Sequence, residues 1–128
     1  MPPFELGLVL LTGQTGPERT TQRWADIKAM ALAAESIGFD IVWSNDELLW
    51  RRVGAAPQGW WDGVSMAGAI AAVTSRIKVG TWVLSALHRN AGIIAKTVET
   101  LDEISGGRFL RSIRASVPFD QIITHGGS

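Results

Sequence analysis

Two adjacent carboxylates, Asp46 and Glu47, follow the apolar run Phe39-Asp-Ile-Val-Trp43 and the polar pair Ser44-Asn45. A carboxylate just beyond a strand can pass protons to a bound ligand if burial raises its pKa. The competing reading is that both are solvated residues opening a loop. His88 lies in a loop with Arg89 and Asn90, where a lone histidine is more often a surface residue than a catalyst. The chain has no cysteine, and His88 and His125 are far apart, so no thiolate nucleophile, disulfide or metal-ligand motif is visible. Trp43, Trp50, Trp60 and Trp61 are large and apolar with a single N–H each. They suit the walls of an apolar substrate pocket, although core packing explains Trp43 equally well.

The elements that must position these residues are set by composition and pattern. With 128 residues, 46% hydrophobic and 19% charged, the chain fits one ordinary globular domain. Lys plus Arg and Asp plus Glu each number 12, so net charge favours neither nucleic acid nor an anionic membrane. The apolar run at the N-terminus lacks a basic leader and is far shorter than the ~18 residues of a membrane span. A cytoplasmic protein is expected.

Residues 4–11 read as a buried strand, ended by the breaker cluster Thr12-Gly13-Gln14-Thr15-Gly16-Pro17. From 20 to 37 the period becomes helical, with Trp24, Ile27, Ala31, Ala34 and Ile37 on one face and Gly38 placed as a left-handed cap. Residues 39–43 form a second strand. Asp62 is placed to cap a helix running to about Ser75, and residues 77–84 form a third strand. Asn90 caps a third helix striped by Ile94, Val98, Leu101 and Ile104. Gly106 and Gly107 end that helix, and residues 108–110 begin a fourth strand.

Strands and helices alternating in units of roughly 30–40 residues require parallel pairing with crossover helices. An open doubly wound sheet and part of a (β/α)₈ barrel both fit. No Gly-x-Gly-x-x-Gly follows the first strand and no phosphate loop is present, which counts against a flavodoxin-type or dinucleotide-binding domain. A full barrel takes about 250 residues, so this chain offers four β/α units, with outer strands left unpaired at both edges.

Three stretches in order carry a resemblance: "FELGLVL", "ALAAESIGFDIVWSNDELLW" and "AIAAVTSRIKVGTWVLSALHRNAGIIAKTVETLDEISGGRF". Together they resemble the luciferase-like monooxygenase superfamily, especially its branch dependent on the deazaflavin coenzyme F420. The family pattern runs "E..GFD.vW..DH", "A..T.rI.vGt.V" and "tLD.lSgGR". The resemblance implies a (β/α)₈ barrel with its site at the C-terminal ends of the strands, hence beyond Leu11, Trp43 and Leu84 here. It implies reduced FMN or F420 as cofactor, a small-molecule substrate, and either oxygen activation or hydride transfer. Asp46 and Glu47 occupy the place of the family's Asp-His pair, so they are the implied catalytic residues. Glu47 replaces an imidazole, and a carboxylate repels an anionic flavin. Trp82, Val83 and Ser85 are the implied cofactor-binding residues. Trp82-Val83 falls where the family often has a non-prolyl cis peptide, an ordinary buried strand pair being the other reading. Ser85 is placed to offer a hydroxyl. Ala91 stands where the family usually has proline.

Beyond Leu110 the family continues into a glycine-rich strand, whereas this chain continues Arg111-Ser-Ile-Arg114-Ala-Ser116 and reaches Pro118. Residues 1–110 are therefore expected to form a partial barrel domain, the N-terminal half of a luciferase-like barrel. Residues 111–128 are expected to be a divergent tail of a truncated or frame-shifted copy. The loops that commonly hold phosphate in such barrels belong to the other half. Cofactor binding by the half alone is expected to be weak, and completion by self-association or by a complementary half-barrel is expected. The alternative is a non-catalytic half-barrel acting through such assembly.

Overall fold

The computed structural model of the chain describes residues 4–50 and 52–114. Its centre is a four-stranded parallel sheet: β1 (Gly7–Val9), β2 (Ile41–Ser44), β3 (Lys78–Thr81) and β4 (Phe109–Leu110), paired in that order. Between them run α1 (Trp24–Ile37), α2 (Gly63–Val73) and α3 (Ala91–Ser105). Spatial order equals chain order, so there is no switch point of the kind a doubly wound sheet has. Right-handed crossovers then put every helix on one face. This is the N-terminal half of a (β/α)₈ barrel.

Register fixes the two faces. Leu8, Val42, Val79 and Phe109 lie side by side across the sheet. With Leu10 they meet Ile27, Ala31 and Ala34 of α1, Ala67, Ile70 and Ala71 of α2, and Leu101 of α3 in one core. The intervening residues point to the opposite face, the lumen side of a barrel. There the Trp43 indole lies across two glycines. A Cβ on Gly80 would sit 2.4 Å from the ring, and one on Gly7 2.7 Å from its Nε1. The small residues therefore serve the tryptophan.

Helix ends follow the expected chemistry. Asp62 caps α2 by accepting from the Ser65 amide at 2.8 Å and hydroxyl at 2.6 Å, and Asn90 caps α3 through the Gly92 amide. Gly38 (φ 100°) and Gly106 (φ 62°) provide left-handed exits. Two polar clasps close the ends of the sheet away from these caps. The Glu35 carboxylate of α1 accepts from the amides of Ser75, Arg76 and Ile77. The Arg108 guanidinium donates to the carbonyls of Ala71, Thr74, Ile77 and Ser105 and to the Thr74 hydroxyl.

Several expected boundaries shift. α1 begins at Trp24 rather than near Thr20, because Thr20–Thr21 pairs antiparallel with Gln14–Thr15 in a small hairpin. The first strand is regular only over Gly7–Val9 and is open on its lumen side, where Val9 and Leu11 are 44% and 47% exposed. The third strand stops at Thr81. After a turn, Leu84–Ser85 pairs in parallel with Ile113–Arg114. The α3 stripe is half covered: Leu101 is buried while Ile104 is 46% exposed. The expected tail therefore contributes one short strand within the described residues, and Arg111 lies on an exposed groove beside α3. Pro118 and His125 lie outside the described residues, as does the side chain of Arg114. No helix among the described residues is long and apolar enough to cross a membrane.

Candidate functional site

The C-terminal ends of β2 and β3 bring the sequence-nominated residues into one region. The Trp82 amide donates to the Ser44 carbonyl at 2.7 Å, and the Trp82–Val83 peptide bond is cis. Trp82 is no buried strand residue: it is 56% exposed, with its ring edge-on to Trp43 at 5.6 Å and 76°. Val83 is partly buried and leads into Leu84 and Ser85, which are fully buried. The Ser85 Oγ has no hydrogen-bond partner among the described residues.

Asp46 is 4% exposed, so it is no solvated loop residue. Its carboxylate accepts from the Ser85 amide at 2.8 Å and takes a two-pronged bond from the Arg89 guanidinium. Arg89 also donates to the Ser85 carbonyl at 3.2 Å and lies 3.6 Å from Asp62. The hydrogen bonds that Arg89 donates to Asp46 raise it above its already high ordinary pKa, more than partial burial lowers it, and the charges of Asp46 and Asp62 add to the rise. Burial pushes the Asp62 carboxyl up, but the Ser65 hydroxyl and amide and nearby Arg89 outweigh it and leave the group below its ordinary range. Gly63 completes the arrangement. A Cβ there would sit 2.5 Å from the Asn45 carbonyl and 2.8 Å from the Asp46 Cα, so only glycine lets α2 start this close to the β2 loop.

Glu47 takes a different direction. Half-buried, it lines a cavity of about 300 Å³ with Asn45, Trp50, Gln58 and Trp60. Trp50 and Gln58 come from the hairpin Leu49–Trp50/Gln58–Gly59, and the Trp60 ring lies flat on Gly13 after β1. Trp61 instead joins Trp24 in an outer cavity between α1 and α2. The four tryptophans considered as one wall thus occupy three places. His88 ends a single turn, Ala86–His88, and is partly buried. Among the described residues no cluster of three or more His, Cys, Asp or Glu side chains is suited to a metal.

Arg89 is the site residue that sequence reasoning missed. The available signal was physical: a carboxylate buried beyond a strand needs a cation, and Arg89 stands one residue before the α3 cap.

A family model described as luciferase-like monooxygenase matches residues 4–128. An F420-dependent glucose-6-phosphate dehydrogenase of Amycolatopsis mediterranei (strain U-32) is 33% identical over 104 residues, covering 79% of this chain and 30% of the relative. A pyrimidine monooxygenase, RutA, of Agrobacterium fabrum is 38% identical over 86 residues, covering 64% of this chain and 23% of the relative. Among solved structures, the oxygenating constituent of 3,6-diketocamphane monooxygenase from Pseudomonas putida, in complex with FMN, superposes with a TM-score of 0.69. That match has 21% identity and covers 97% of this chain and 33% of the other. The chain spans about a third or less of the length of these relatives.

Proposed function

The chain belongs to the luciferase-like monooxygenase family, and we propose that it contributes the ring-binding end of an F420- or FMN-dependent oxidoreductase acting on a small molecule in the cytoplasm. The carrying observation is the exposed Trp82 at the C-terminal end of β3, braced against Trp43 on the open lumen face. Ligand sites of parallel β/α folds lie at that end. The residues present fit a planar ring system. Trp82 and Val83 offer an apolar edge, and the buried Ser85 hydroxyl still lacks a partner among the described residues. A reduced flavin or deazaflavin bound there supplies a hydride, or in the flavin case two electrons for oxygen activation. Glu47 holds the proton-handling carboxylate on the substrate side, and the Trp50–Trp60 cavity beside it receives an apolar part of the substrate. The phosphate-bearing tail of the cofactor is not held by these elements.

The test is fluorescence titration of the 128-residue chain with F420 and with FMN, with mass followed by light scattering. Saturable binding of either cofactor, lost in Trp82→Ala, is the expected result. A correctly folded chain that binds neither cofactor in any assembly state overturns the proposal.

A second reading has its own observation. The lumen side of β1 exposes Val9 and Leu11, and β1 and β4 are open edges of the described sheet. Those surfaces suit a homo-oligomer or a complementary half-barrel. A non-catalytic assembly module would self-associate yet leave the cofactor spectra unchanged.

A further inference from the structure

The turn that carries Trp82 is held by side chains as well as by strand pairing, and the two kinds of hold are separable. Strand-type bonds fix Trp82 through the Ser44 carbonyl and Leu84 through the Ser112 carbonyl, each at 2.7 Å. Ser85 is held differently. Its amide donates to Asp46 and its carbonyl accepts from Arg89, so both its backbone polar groups end on one buried ion pair. That pair is itself wedged. Behind Asp46 the first turn of α2 abuts at Gly63, and Asp62, the cap of that helix, lies 3.6 Å from Arg89. Arg89 immediately precedes Asn90, the cap of α3. A single guanidinium thus ties the β2 loop, the β3 turn and the starts of two helices.

From this geometry we infer that Arg89 and Asp46 are positioning residues, a buried clasp that sets where Trp82 and Val83 stand relative to Trp43 and so presents the cofactor-facing turn. The inference rests on the cofactor placement proposed above. Both Asp46 oxygens are committed to Arg89 and Ser85, which leaves proton handling to Glu47. A clasp of this kind differs from a general stabiliser. Replacing both members of a buried ion pair by apolar residues is often neutral for stability, whereas removing one member strands a charge. Such a double replacement removes the aim of the turn and leaves no unpaired charge behind, at the cost of the Ser85 backbone bonds.

The experiment reads the aim directly. Indoles 5.6 Å apart and near-perpendicular couple their transitions, so Trp43 and Trp82 should give an exciton couplet in the circular dichroism, assigned by its loss in Trp82→Phe. Arg89→Met, Asp46→Asn and the double variant Asp46→Leu/Arg89→Met are compared with wild type for couplet, melting temperature, and F420 and FMN affinity. The clasp predicts that the double variant melts above either single variant, loses the couplet and binds cofactor about tenfold more weakly, a displaced contact of ordinary size. Arg89→Lys should restore part of the couplet. A folded double variant that keeps both couplet and affinity overturns the inference. If a single variant fails to fold, the double variant decides. If wild type binds neither cofactor, the functional proposal fails, and the couplet alone decides whether the clasp exists.

Discussion

Asp46 and Glu47 are neighbours in sequence and opposites in environment: the first is locked into a buried ion pair, and the second lines an aromatic cavity. Glu47 also carries a charge of the same sign as an anionic flavin or deazaflavin. Removing it should tighten cofactor binding, and an imidazole should tighten it further. For partly solvated charges the effect is about 1 kcal/mol, roughly fivefold in affinity. The expected order is Glu47→His tightest, then Glu47→Gln, then wild type, with differences shrinking as salt is raised. Titrations at low and high salt check this, and identical affinities at low salt would place Glu47 away from the cofactor. Gly80 gives a prediction of another kind. Because a Cβ would meet the Trp43 ring at 2.4 Å, Gly80→Val should destabilise by about 1–3 kcal/mol, measured as a urea midpoint shift at unchanged slope. Gly80→Val with Trp43→Ala should recover part of it. The sequence makes the carboxylates and Trp43 easy to single out. It hides Arg89, because nothing local couples residue 46 to residue 89, and only the parallel pairing of β2 with β3 brings them together.

At the scale of the elements, the motif residues outside the site are explained by helix ends. The "SGGR" stretch ends in Arg108, whose donors satisfy carbonyls at the C-terminus of α2 and at Ile77. Arg108→Met should therefore cost about 1–3 kcal/mol for stranded acceptors, read as a lower melting temperature with cofactor contacts untouched. Glu35 does the matching work from α1. Partial burial pushes its carboxyl up, but the amides of Ile77, Arg76 and Ser75 and the charge of Arg76 outweigh it and set it below its ordinary value. A folded value below the unfolded one adds stability above the ordinary glutamate range and loses it as pH falls through the lower folded value. Wild type should thus lose stability faster than Glu35→Gln on acidification below about pH 4.5, with the difference constant near neutrality. Parallel acid-melting curves for the two proteins would contradict this. Strand and helix order, the caps at Gly38, Asp62, Asn90 and Gly106, and the alternation of strands and helices were legible from pattern. The end of β3 was not, because apolar residues continue to Leu84 while the chain turns after Thr81.

At the scale of the whole molecule the deciding fact is that, among the described residues, one face of the sheet is packed and the other is open. The helix side buries Leu10, Val42, Val79 and Phe109 almost completely. The lumen side shows Val9, Leu11 and Trp82, with Trp43 lying over the centre. Exposed apolar surface of that kind, bordered by open parallel edges, is expected to find a partner. The 128-residue chain should therefore show a mass that rises with concentration in light scattering. Val9→Lys with Leu11→Lys places two charges on the open face without touching the core, so it should return the chain to a monomer at little change in melting temperature. Cofactor affinity separates the two readings of that assembly. If assembly completes a ring-binding site, affinity falls together with the mass in the lysine variant. If assembly only hides apolar surface, the monomer binds cofactor as well or as poorly as the wild type. A wild-type chain that stays monomeric throughout the concentration range would mean that the Trp43–Trp82 cover suffices to keep the lumen face in water.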